Sequence, residues 1–122
     1  MNILVVDDSK AMRLIVRKAL RQAGYGSYHV DEAANGKEAL AAIRTGKPAV
    51  ILSDWNMPEM NGFELLQTLT KEGIKVPFGF VTSETTPEMQ QQATGAGALF
   101  LLAKPFTADA MLAALRNILP PG

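Results

Sequence analysis

The sequence has no cysteine, one histidine, one tryptophan and no excess of either charge. Without cysteine there is no disulfide framework and no thiolate metal centre, which fits a reducing, cytoplasmic setting. Lys plus Arg is 12 and Asp plus Glu is 12. A duplex binder uses a basic excess to displace counterions, so direct nucleic-acid binding is not expected. No apolar run is long enough to span a bilayer. The first run, Ile3 to Val6, ends in Asp7-Asp8 and is too short for a signal segment. Neither membrane insertion nor export is therefore expected. What remains is 122 residues with 48% hydrophobic content, which suits one domain spanning 1–122.

Short apolar runs alternate with amphipathic stretches. Ile3 to Val6 reads as a buried strand. Met12, Ile15, Val16, Ala19, Leu20 and Ala23 then recur at helical spacing, with Ser9 as N-cap and Gly24 as stop. Tyr28 to Ala33 has the polar interruptions of an edge strand. An Asn35-Gly36 turn leads into a helix with Ala39, Leu40 and Ile43 inward, ended by Gly46-Lys47-Pro48. Ala49 to Leu52 is a second fully apolar strand and runs into Ser53-Asp54. After the Met57-Pro58 break comes a helix carrying Phe63, Leu66 and Leu69. Val76 to Val81 is a strand in which Gly79 marks close approach of a neighbouring backbone. Thr86-Pro87 starts a helix that ends near Gly95 or Gly97, and Gln90-Gln91-Gln92 is its exposed side. Leu99 to Ala103 is the last strand. Thr107 caps a final helix with Leu112, Leu115, Ile118 and Leu119 inward, before Pro120-Pro121-Gly122.

About five such β-α units predict an α/β fold: a doubly wound, five-stranded parallel sheet with helices on both faces. Ligands of such sheets bind outside the carboxyl ends of the strands. Those ends carry Asp7-Asp8, Asp54, Thr82-Ser83 and Lys104-Pro105. Three carboxylates brought together repel unless a cation relieves them. Oxygen donors without His or Cys point to a hard ion, Mg²⁺ or Mn²⁺. An aspartate can attack phosphorus to give an acyl phosphate. A metal, an ammonium and a hydroxyl suit the charge on a transferring phosphoryl group. Each pair taken alone also has an ordinary structural role as a cap or turn; the joint occurrence at successive strand ends is what points to phosphoryl transfer.

The sequence resembles the receiver domain of response regulators over essentially its whole length. The resemblance rests on Val5-Val6-Asp7-Asp8-Ser9, Ser53-Asp54-Trp55-Asn56-Met57-Pro58, Asn61-Gly62, Val81-Thr82-Ser83-Glu84, Gly97-Ala98 and Lys104-Pro105-Phe106. The Asp54 to Pro58 run and Glu84 look like the chemotaxis type. The resemblance implies strand order 2-1-3-4-5, with Asp54 as phosphoacceptor. Asp8, Asp54 and the Asn56 backbone carbonyl would ligate Mg²⁺, with Asp7 acting through water. Thr82 would be the switch hydroxyl and Lys104 a phosphoryl partner. Asn56 and Glu84 would tune dephosphorylation, and Lys104-Pro105 would be cis. The family usually has an aromatic residue where Leu101 stands; Phe100 is the nearest ring and points to the other face of an alternating strand. The output step is therefore expected to differ at Leu101 while the chemistry survives.

The implied partners are a sensor histidine kinase or histidine phosphotransfer protein, and a downstream protein target such as the flagellar motor switch. The implied function is a signalling switch, not an enzyme on an external substrate, and a monomer is expected. A single-domain regulator and a receiver cut from a larger regulator or hybrid kinase both fit. Two other readings fit less well. An aspartyl-phosphate phosphatase of haloacid dehalogenase type would need a second acid where Asn56 stands. A flavin binder would need a phosphate loop where Asp7-Asp8 would repel the phosphate. His29 reads as a surface residue with no supporting acid. Lys10, Arg13, Arg17 and Arg21 read as a solvated face or a docking face, and Trp55 as an optical reporter beside Asp54.

Overall fold

The computed structural model of the chain describes residues 2–83 and 85–121. Five strands alternate with five helices: β1 Asn2–Val6, α1 Lys10–Leu20, β2 His29–Ala33, α2 Gly36–Thr45, β3 Val50–Ser53, α3 Gly62–Lys71, β4 Phe78–Thr82, α4 Pro87–Gly95, β5 Phe100–Ala103 and α5 Ala108–Leu115. All strand pairs are parallel, in the order β2-β1-β3-β4-β5. The expected architecture and order are both present.

Strand alternation sorts the core into two layers. Ile3, Val5, Val50, Leu52 and Val81 face α1 and α5. Leu4, Val6, Ile51, Phe78 and Phe80 face α2, α3 and α4. Both faces of β3 are buried, which is why its sequence is wholly apolar from Val50 to Leu52. Each fully buried aliphatic or aromatic side chain contributes about 1.5–3 kcal/mol relative to exposure.

The helix starts follow the expected capping chemistry. Ser9, Thr86 and Thr107 accept the backbone N–H of Met12, Met89 and Ala110 through their hydroxyls. Asn61 and Glu64 form a reciprocal capping box at α3. Asn35 caps α2 by accepting from Glu38 N–H, and the Glu38 carboxylate accepts from Ala34 N–H instead of from the cap's own.

Several expectations need correction. Ile15 is 54% exposed, and Leu14 beside it is similarly open. The buried stripe of α1 is Val16, Ala19 and Leu20, so Ile15 lies just past its edge. After α1 the chain runs on through a π-helical turn, Arg21–Tyr25, and Gly24, at φ +101°, breaks the helix where the sequence placed its stop. α5 ends at Leu115, so Ile118 and Leu119 reach the core from the turn after it; Met111 is the core residue the spacing missed. Strand β4 begins at Phe78, with Val76 and Pro77 leading into it. Tyr28 precedes β2, and its hydroxyl donates to the Pro120 carbonyl at 2.6 Å. Tyr25, buried, donates to Leu119 at 2.9 Å, so the end of the described chain is tied to the entrance of β2.

Candidate functional site

Sheet hydrogen bonding continues one residue past the strands and thereby fixes the site. Asp54 N–H donates to the Val6 carbonyl at 2.8 Å, and Asp7 N–H to the Ala33 carbonyl at 3.1 Å. Lys104 N–H donates to the Thr82 carbonyl at 2.8 Å. Asp7 follows β1 and Asp54 follows β3, the two strands between which the order reverses. The side chains thus meet at the switch point where such sheets bind ligands.

Asp7, Asp8 and Asp54 bring carboxylate oxygens within 4.8 Å of one another. The Asp7 and Asp54 side chains are 5% and 12% exposed, whereas Asp8 lies open. Lys104, 17% exposed, holds its ammonium 3.2 Å from Asp7 Oδ2 and 3.4 Å from Asp54 Oδ1. One cation therefore bridges two of three acids. Burial pushes the Asp54 carboxyl above its ordinary range; Lys104 opposes the rise and Asp7 adds to it.

Backbone N–H groups orient Asp7 and Asp54. Ser9 N–H donates to Asp7 Oδ1 at 2.9 Å, and Arg13 donates to the Asp7 carbonyl at 2.6 Å. Trp55 N–H donates to Asp54 Oδ1 at 2.9 Å. Among the described residues Asp54 Oδ2 receives no protein hydrogen bond. The loop after β3 is pulled back under Asp54 by Gly62 N–H, which donates to the Trp55 carbonyl at 2.9 Å. A Cβ on Gly62 would stand 2.2 Å from the Asp54 carbonyl oxygen, so only glycine permits this return. That requirement is the physical content of Asn61-Gly62, which sequence reasoning used only as a marker.

The structure brings Asp7, Asp8, Asp54 and Lys104 together. Thr82 is fully buried at the end of β4, paired in register with Ala103. Asn56 is exposed on the loop after β3. Glu84 lies outside the described residues. Leu101 is half-buried against the α2–α4 layer while Phe100 packs in the α1–α5 layer, the opposite facing expected for these neighbours. Lys104-Pro105 is cis.

Four secondary readings change. Gly79 does not mark a backbone approach: a Cβ there would meet the Phe100 ring at 2.0 Å. His29 has a supporting acid, Asp31 Oδ1, at 2.9 Å on the exposed edge strand. Arg13 and Arg17 are not simply solvated, since both pair with Glu32 at 2.8 and 3.0 Å. Trp55 is more than a reporter beside Asp54; it stacks on Phe63 at 5.4 Å and tilts against Phe80 at 4.6 Å, linking the pocket rim to the core.

The donor set fits a hard divalent cation. It is all oxygen, and its three acids have one ammonium between them. Asp7, Asp8 and Asp54 would hold the ion, with the Asn56 carbonyl as a further oxygen on the adjoining loop.

Comparison with known proteins agrees with this geometry. The family profile described as "Response regulator receiver domain" matches residues 3–116. The chemotaxis protein CheY-3 of Vibrio cholerae serotype O1 is 37% identical over 120 residues, 97% of this chain and 91% of that one. The chemotaxis protein CheY of Pseudomonas aeruginosa is 35% identical, covering 97% and 95%. The solved structure of Vibrio cholerae CheY4 superposes with a TM-score of 0.84 at 38% identity, covering 97% and 98%. The receiver domain of the Francisella response regulator 1452 gives 0.85 at 29% identity, covering 96% and 94%. No helix among the described residues is long and apolar enough to cross a membrane. A pocket of three acids and one lysine at the β1/β3 switch point, together with these matches, shows that the chain belongs to the response regulator receiver domain family.

Proposed function

We propose that the chain is a phosphorylation switch of the chemotaxis type in a cytoplasmic two-component pathway, with Asp54 as its phosphoacceptor. The convergence of Asp7, Asp8 and Asp54 within 4.8 Å, bridged by Lys104, is the observation that carries this reading. An Asp54 carboxylate oxygen attacks the phosphorus of a phosphohistidine on a kinase or phosphotransfer protein. The P–N bond breaks as the P–O bond forms, and the imidazole nitrogen leaves with the electron pair. Among the described residues, Oδ2 is the oxygen that no protein donor holds. Lys104 then moves from pairing with Asp54 to pairing with a phosphoryl oxygen, and the Thr82 hydroxyl donates to another.

Asp8, Asp54 and the Asn56 carbonyl would hold the metal, with Asp7 acting through water; Mg²⁺ is the fitting ion and Mn²⁺ an acceptable one. Bound there, it supplies positive charge against the phosphoryl oxygens. Water attack on phosphorus later breaks the acyl P–O bond and restores the Asp54 carboxylate. Asn56 and Glu84 are the residues assigned to its rate. The phosphoryl state biases Thr82, Leu101 and the face of α4, β5 and α5 through contacts that differ between states. A protein target, with the motor switch as the candidate of this type, reads that face.

The test is intact-mass measurement after incubation with acetyl phosphate and Mg²⁺. A phosphoryl mass that appears on the parent protein, and is lost with Asp54→Asn or with chelator, supports the reading. If neither acetyl phosphate nor a beryllofluoride mimic engages the folded protein at Asp54, the reading fails.

A further inference from the structure

α2 packs along α3, but α4 seats on β5 rather than on α3. Its sequence explains this: of Pro87–Gly95 only Ala93 is buried, and three consecutive glutamines face outward. A helix this polar has no apolar stripe with which to close against a neighbour. A groove is left between α3 and α4 on the sheet face away from α1 and α5.

The groove has two stretches that share Thr70 and Ala96. The upper one begins at Phe63, the ring that stacks on Trp55. The lower one opens at the entrance of β4 between Ile74, Val76 and Leu99, and Leu99 is 59% exposed. Lys71 lines the upper stretch and Lys75 the lower; among the described residues no acid lines either. Among the described residues neither lysine has a carboxylate within 4.0 Å. Glu72, between them in sequence, is taken by Arg44. A largely apolar trough carrying two cations, with no anion on its described walls, is complementary to an apolar stripe flanked by carboxylates. From Phe63 to Thr70 the α3 wall covers about two helical turns, the span of an i, i+3, i+4, i+7 stripe.

We propose that the α3–α4 groove docks an acidic amphipathic helix of a partner protein. Its apolar stripe lies between Phe63 and Leu99, and its flanking carboxylates meet Lys71 and Lys75. The groove uses neither the Asp54 pocket nor β5's outward face, so occupancy does not require phosphorylation.

The test uses two synthetic helices of about 15 residues, long enough to be marginally helical. Both carry leucines at i, i+3, i+4 and i+7; one is flanked by glutamates and the other by lysines. Each is titrated into the unphosphorylated protein while backbone amide shifts are followed. The glutamate peptide is expected to give saturable shifts at Thr70, Ile74, Ala96 and Leu99. It should bind about tenfold more tightly than its lysine twin, as two partly exposed ion pairs would give. The Lys71→Glu/Lys75→Glu variant should reverse the preference, and Leu99→Ser, at an exposed position, should weaken both. Equal binding of the two peptides, shifts centred on another face, or no saturable shift would each overturn the proposal. The amide spectrum of every variant shows whether the fold is intact.

Discussion

The Phe100 ring lies flat against the bare backbone of Gly79, its registered partner on β4. Three ring atoms stand 2.0 to 2.3 Å from where a Gly79 Cβ would be. The two residues therefore act as one packing unit in the α1–α5 layer, and neither can be changed alone without cost. Gly79→Ala should destabilise the protein by about 2 kcal/mol through overpacking, and Phe100→Ala by about 3 kcal/mol through the space left behind. The double variant should lose less than the sum, because the new methyl occupies vacated space. Urea denaturation of the four proteins measures the coupling; strict additivity would refute a shared unit.

Lys104 bridges Asp7 and Asp54 at 3.2 and 3.4 Å. Replacing it with alanine leaves two poorly exposed carboxylates without their cation. In metal-free buffer Lys104→Ala should lose about 2 kcal/mol of stability. Added Mg²⁺ should restore more stability to the variant than to the parent, because the ion binds the folded state preferentially. Thermal melts with and without Mg²⁺ test this, and an equal gain in both proteins would count against the bridge.

The Asp54 carboxyl is raised by burial and by Asp7. The folded state therefore holds its proton at pH values where the unfolded chain has already released it. Through that window stability rises as pH falls towards the unfolded value, and the ionised group is a burden above it. Asp54→Asn should raise the midpoint of metal-free denaturation at neutral pH and flatten this part of the profile. A lower midpoint for the variant at neutral pH would show that Asp54 is instead stabilised as the anion.

Gly62 returns the loop after β3 to within reach of the Asp54 carbonyl. Gly62→Ala must displace either α3's first turn or Asp54. It should slow phosphorylation from acetyl phosphate at least tenfold, while circular dichroism stays near that of the parent. An unchanged rate would mean that the loop adapts without moving the acceptor.

The repeating pattern was legible in the sequence, because buried parallel strands must be apolar on both faces and helices need their caps. Ile3 to Val6, Val50 to Leu52 and the caps Ser9, Asn61, Thr86 and Thr107 carried that information locally. The acids and the lysine of the pocket were legible too, since each stands at a strand end where a doubly wound sheet exposes it. Contacts between distant segments were decided only in three dimensions. Local spacing could not say that Gly79 serves a ring 21 positions later in the chain, that Ile15 falls outside the buried stripe, or that Arg13 and Arg17 are spent on Glu32 of the neighbouring strand. Those facts depend on strand register and on how each helix turns over the sheet. Both are set by the packing of the whole core and not by any segment within it.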